Sequence, residues 1–592
     1  MNQKINILIV FLFCQFIFVQ IVQSNTIQYT SPVSGSVYNM ESTNIIIGFS
    51  EKINSGYIRN LPISLTGSLS GNHSYKLEIV EKGTRIIISP DSRFAFGEKV
   101  TVSGLKGHDD LSFYIRNSKP NVTFDANSDL EFTNKEKVYP FHRDFLVAPD
   151  SLPVFTIYNS GSTASGYLFL SNFSGVNINS YLMILQNSGV PVKAIALNLK
   201  GYDFKKQNDN LLTYYEEMIH CFLGLNSSYE VVDTFYTGNG YTTDIHELRV
   251  QPDGSAWLLS YDAETVDMSV IVSGGKPNAI VTGLIIQKID VNKHVVFQWR
   301  SWDHFQITDA THENLTAYNI DYVHGNAIEV ESDGNILLSS RHLDEITKIN
   351  SVTGEIIWRL GGKNNEFNFL NDSIGFSHQH HIRRLENAHI MLFDNGNYHT
   401  PAFSRVVEYS IDEGAKTLFL EWQYRHTPEI FSSAMGSAQR LSNGNTLIGW
   451  GAAATTLTEV TPQGNIAYEL SLPATEMSYR AYRDEWGSVT LGQPDEQGAP
   501  EAYCLYQNNP NPFNPTTNIN YRLAKNSYVT LKVYNVLGKE ITTLVNGFQN
   551  AGEHKVQFPG SQNVIGQLQS GIYFYKLQTE SFTDVKKMVL VK

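Results

Sequence analysis

The chain has 592 residues, 42% hydrophobic and 12% aromatic, which is too long for one ordinary core and apolar enough to fold as several domains. Its formal net charge of -14 argues against a nucleic-acid-binding surface. Small anionic substrates are not excluded, because a local cationic pocket survives in an acidic protein.

Residues 1–24 read as a signal peptide: Lys4 supplies the basic start, ILIVFLFCQFIFVQIV the apolar core and Val22-Gln23-Ser24 a cleavage site. The mature chain is therefore expected outside the cytoplasm. Cys14 leaves with that peptide, and Cys221 and Cys504 fall in different domains, so no disulfide framework is expected. Residues 25–116 alternate short strands (NIIIGFS, YKLEIVEKG, RIIISP, EKVTVSG, LSFYIRN) with turns, the pattern of an immunoglobulin-like β-sandwich. A polar linker over 117–150 follows.

Residues 151–486 carry strand signals throughout and no long helical period. The stretch from Asp321 to Gly361 reads as a complete four-strand unit: HGNAIEVES, an Asp333-Gly334 turn, NILLSSR, EITKIN, a Thr353-Gly354 turn and EIIWRL. HELRVQPDG, HHIRRLENA and GSAQRLSNG repeat its opening, and the turn residues Gly334, Ala388 and Gly444 recur about every 55 residues, a propeller-blade spacing. About 330 residues at that spacing give a six-bladed β-propeller. Its innermost strands begin at one channel rim, so His246, His324 and His380 should converge there. The returning second strand brings Arg341 to the level of His324.

A second polar, Gly- and Pro-containing linker is expected over 487–503, and both linkers suggest that the propeller folds apart from its flanks. Residues 504–592 form a last β-sandwich, making the whole chain all-β. NPNPFNPTT, VYNVLGKEI, LQSGIYFYKL and the basic KKMVLVK ending resemble the C-terminal sorting domain of type IX secretion. That resemblance implies the type IX machinery as a partner, passage across the outer membrane, and surface attachment or release.

The propeller segment, from about Pro153 to Leu472, resembles the bacterial arylsulfotransferase family through TDIHELRVQPDG, DYVHGNAIEVESDGNILLSSRH, TGEIIWRLGGK and FSHQHHIRRLENAHIMLFDNG. Ala388 stands where that family usually has a turn glycine, and His381-Ile382 where it more often has a small or acidic pair. The resemblance implies a histidine that accepts a sulfuryl group from an aryl sulfate and passes it to a phenol with no cofactor. It places that nucleophile at His380, in the pair Gln379-His380, with His246, His324 and Arg341 around the sulfuryl oxygens; Gln379, Asn326 and His304 are further expected to bind substrate, His304 standing evenly between a loop contact and a pocket wall. The chemistry suits these residues: a neutral imidazole attacks, and a fixed guanidinium holds developing oxyanion charge.

His381 is expected to point away from His380 as a structural residue, and His389, His399 and His426 are read the same way. Two other classes stay open. His378, His380, His246 and His324 could ligate zinc or copper in a hydrolase, although Arg341 would repel a cation. Alternatively the propeller binds an anionic ligand without catalysis.

Overall fold

A computed structural model describes most of residues 26–591, leaving out 119–142, 146–151, 175–179, 487–502, 560–567 and a few isolated positions. The expected signal peptide and most of both expected linkers lie outside the described residues. The chain divides into two compact units, 1–486 and 487–592.

Among the described residues, six mainly antiparallel sheets follow the N-terminal segment along the first unit. In three of them the strand order is the chain order, as in Gly325–Val330, Ile336–Ser340, Glu345–Ile349 and Ile356–Gly361. The innermost strands touch in a closed ring: Gly201–Lys206, Thr243–Val250, Gly325–Val330, His380–Arg384, Ser437–Arg440 and Ala481–Asp484, which returns to Gly201–Lys206. This is a β-propeller. Its ends interlock, because the last strand, Ala481–Asp484, pairs with Tyr167–Ser171 while Thr156–Asn159 pairs with Ile466–Ser471. Arg143–Phe145, within the stretch expected as a linker, adds to the outer edge of one sheet.

Period-two alternation explains the packing between sheets. Ala327, Leu337 and Ile346 of one blade meet Ile382, Ile390 and Leu392 of the next. Each fully buried leucine or isoleucine among them contributes about 1.5–3 kcal/mol of transfer free energy. Below the rim the channel is filled by charge: Lys205 pairs with Asp203 at 2.6 Å and with Glu247, Arg383 with Glu247 at 2.8 Å, and Arg480 with Asp203 at 2.9 Å. Against the burial that would raise it, Arg383, Lys205 and Arg480 hold the Glu247 carboxyl well below the usual carboxylate range. Arg480, just before the closing strand, thereby ties that strand to two other blades.

The first 116 residues contribute two four-stranded sheets around a shared core of Ile45, Ile47, Ile86, Ile88, Leu65, Val100, Val102 and Phe113. This sandwich belongs to the same compact unit as the propeller. Arg116, with its side chain 5% exposed, pairs with Asp262 and Glu264 of a propeller strand. Tyr29 donates to Gln298 O at 2.7 Å, Arg85 to Ser351 O at 2.9 Å, and Arg300 to Asn39 Oδ1. These buried pairs join the sandwich to the propeller, two segments that the sequence led one to expect as separate folding units.

The second unit is a sandwich of a three-stranded and a four-stranded sheet around Ile519, Tyr521, Leu531, Val533, Tyr575 and Leu577. Cys221 and Cys504 are both free thiols.

Gly254, Gly334 and Gly444 adopt positive φ, and so does the non-glycine Ala388 at φ 66. An L-residue pays about 1–2 kcal/mol in that region, and Ala388 is exposed. Ala388→Gly should therefore stabilise the chain by about 1 kcal/mol, after glycine's own entropy cost, seen as a raised melting temperature. Arg116→Ala should lose about 3 kcal/mol in denaturant unfolding, because it removes the cation paired with the buried Asp262 and Glu264.

Candidate functional site

The three histidine-bearing inner strands all break regular pairing at their first residues. Register shifts between Thr243 and Leu248, between Gly325 and Ala327, and between His380 and Arg383. Such bulges re-aim side chains, and here they turn imidazoles over the channel mouth. His324 itself has φ 49.

Each of the three rings is held through Nδ1. His246 Nδ1 donates to Asp244 Oδ1, and His324 Nδ1 to Asp321 Oδ2 at 2.7 Å. His380 Nδ1 lies 2.7 Å from Asn395 Oδ1 and 3.1 Å from the His378 carbonyl. The Asn395 amide is oriented by its Nδ2 donating to Ser432 O and Met435 O, at 2.9 and 3.0 Å, so Oδ1 must accept from His380. Two acceptors on Nδ1 place the proton there and leave the lone pair on Nε2. Burial, and then the nearby charges of Arg341, His324 and His246, push the His380 imidazole well below the ordinary histidine range, outweighing the Asn395 hydrogen bond. The result is a neutral, buried, oriented imidazole close to Arg341.

His246 and His324 stand with ring centroids 5.1 Å apart. Tyr261 and Tyr479 pack edge-on against His246, at 5.7 and 5.8 Å, and the Tyr261 hydroxyl donates to Gly325 O at 2.8 Å. Arg341 follows the second strand of the next blade, and its backbone N–H donates to His324 O at 2.9 Å. Its Nη1 donates to His342 Nε2 at 2.7 Å and its Nη2 to Ser433 O at 3.0 Å, while the buried Nε has no protein partner. The structure thus brings together His246, His324, His380 and Arg341.

The other expected site residues sit elsewhere. His304 stacks on Trp299 at 4.7 Å, beside Tyr29 at the seam between sandwich and propeller, and burial pushes its pKa down to about 4. Gln379 reaches from one blade to the next, its Nε2 donating to Ser339 Oγ, Ser340 O and Glu345 O. Asn326 is fully buried and donates to Gln379 O at 2.8 Å. His381, at φ 59, is bound between Tyr482 OH and the Ala438 N–H inside the channel.

Sequence reasoning missed Asn395, Asp244, His342, Tyr398 and the two tyrosines. Asn395 carried a signal: it follows the second strand of its blade as Arg341 follows the second strand of the blade before. A cation has one candidate seat among the described residues, where Asp321, His324 and His342 bring donor atoms close together. Its fit is poor, because His342 Nε2 accepts from Arg341 and Nδ1 lies 2.6 Å from Asp321 O.

Residues 221–472 match the arylsulfotransferase (ASST) family. The match starts at Cys221, later than the expected Pro153, and takes in all four residues of the rim cluster. Residues 509–592 match the secretion system C-terminal sorting domain, which directs export by type IX secretion to the cell surface or the medium. No curated protein matches the chain. Solved structures similar to it include a protein of unknown function from Bacteroides caccae, 11% identical over 54% of this chain and 98% of that one, TM-score 0.35. Virginiamycin B lyase from Staphylococcus aureus is 10% identical over 54% and 89%, TM-score 0.29. PorZ of Porphyromonas gingivalis, a surface component of the type IX secretion system, is 9% identical over 96% and 82%, TM-score 0.31.

The arrangement within the arylsulfotransferase segment makes His380 readable by itself. Histidine-selective nitrogen NMR should show its ring neutral and protonated on Nδ1 from about pH 5 to 8, because its folded pKa is displaced far below the ordinary value.

Proposed function

We propose that the chain is an exported aryl-sulfate sulfotransferase working through a sulfohistidine at His380. The observation that carries this reading is the contrast in Nδ1 partners: His246 and His324 are each held by a carboxylate, His380 by a neutral amide. A carboxylate partner anchors each of the other two rings through Nδ1, whereas an amide partner brings no counter-charge and leaves the neutral ring that a nucleophile must be.

In the first half-reaction the His380 Nε2 lone pair attacks sulfur and the bond from sulfur to the aryl oxygen breaks. The electron pair leaves on the phenolate, which takes a proton from His246 or His324 in its imidazolium form. Arg341, through its unpartnered Nε, and the remaining imidazolium balance the charge on the sulfuryl oxygens. In the second half an acceptor phenol attacks the same sulfur, the bond to Nε2 breaks, and the phenol proton returns to the imidazole that gave one up. No cofactor is consumed.

4-Nitrophenyl sulfate, with and without added phenols, tests the reaction class. Phenolate release that depends on an acceptor and yields sulfated product supports it; release that needs no acceptor and is lost on chelation points to a metal-dependent hydrolase instead. No release at all leaves the non-catalytic binding propeller.

Two substitutions separate the roles. His380→Asn should abolish release. Asn395→Asp should raise the His380 pKa by giving its imidazolium a counter-charge, so neutral ring is lost as pH falls and the acid limb of the pH–rate profile moves upward. Arg341→Ala should cost about 2–4 kcal/mol in transition-state stabilisation, read from kcat/KM.

A further inference from the structure

Beside Arg341, away from His246, the mouth holds a second group of side chains that the proposed mechanism does not use. His378 is 3% exposed, and neither Nδ1 nor Nε2 has a protein partner. Its ring is boxed by His342 at 5.6 Å, His312 at 5.9 Å and, edge-on, Tyr398 at 4.9 Å. Burial first, then the charges of Arg341, His342 and His312, push its pKa down to about 2, so the ring is neutral.

The group is held in place. Asp344 Oδ1 accepts the His378 N–H at 2.7 Å, fixing a residue at φ 53, and Asp344 Oδ2 lies 3.0 Å from His312 Nε2. His312 stacks on Tyr398 at 3.4 Å, and Tyr398 is 50% exposed. A buried imidazole with two unpaired nitrogens costs about 1–3 kcal/mol, and a backbone held at positive φ adds to it. Packing alone would be served better by an apolar side chain.

We infer that His378, Tyr398 and His312 form an aryl subsite that selects a phenol carrying a second hydroxyl group. This deepens the sulfotransferase reading and rests on it for the site's reaction. A hydroxyl both donates and accepts, so it can satisfy either nitrogen of the neutral His378 ring, while the half-exposed Tyr398 ring beside it supplies aromatic contact. A carboxylate substituent is disfavoured, since Glu313 lies 3.6 Å from His342 and Asp344 borders the group.

The test compares phenol, catechol, resorcinol, hydroquinone and 3-hydroxybenzoate as acceptors from 4-nitrophenyl sulfate, and as ligands of the resting protein by titration calorimetry. At least one dihydroxybenzene should exceed phenol by about tenfold in acceptor kcat/KM and in affinity, with 3-hydroxybenzoate below it. In His378→Leu that ratio should fall to within about twofold of one, whereas Tyr398→Ala should weaken phenol and dihydroxybenzenes together; His378→Gln replaces the leucine variant if melting shows it unfolded. A wild-type ratio near one, or a ratio unchanged in a folded His378 variant, overturns the subsite. If no aryl sulfate is turned over, the sulfotransferase reading fails, and the calorimetric ratios still decide the subsite.

Discussion

The site depends on one hydrogen bond, from His380 Nδ1–H to the Asn395 carbonyl oxygen at 2.7 Å. It fixes the tautomer, aims Nε2 at the channel mouth and leaves the ring without a counter-charge. The last point matters most. An aspartate in that position would favour a second proton on the ring and take up the Nε2 lone pair on which the proposed chemistry depends. Everything around the bond serves it: Ser432 and Met435 orient the amide, and the closed ring of inner strands brings His246, His324 and Arg341 to the same rim from other blades.

Rigidity comes from below. The Lys205, Asp203, Glu247, Arg383 and Arg480 cluster fills the channel with paired charge, and its members come from strands distant in sequence. Buried pairs of this kind contribute little net stability compared with apolar packing, but breaking any one of them leaves an uncompensated charge. Their effect is to fix how the blades meet beneath the histidines. The N-terminal sandwich braces the same ring from outside, through Arg116 on Asp262 and Glu264.

Much of this was legible in the sequence. The all-β class follows from alternation and turn residues, and the turn glycines fall at positive φ where expected, with Ala388 following them against its own preference. The convergence of His246, His324, His380 and Arg341 follows from blade phase alone. Bulges were not legible. Parity counting put His381 on the face away from His380 as a structural residue; the register shift between His380 and Arg383 lay outside that counting, and His381 is held between Tyr482 OH and the Ala438 N–H. His304, expected among the substrate-binding residues, is kept at the sandwich seam by stacking on Trp299. That seam is a tertiary contact between distant segments, which periodicity cannot register.

The central claim is covalent chemistry at His380, and mass spectrometry of the intact protein after incubation with an aryl sulfate and no acceptor tests it most directly. The account predicts a single sulfuryl adduct on the peptide spanning Phe376 to Arg383, discharged when a phenol is added. Sulfated product formed with no adduct at any time point, or an adduct mapped to another peptide, would contradict it.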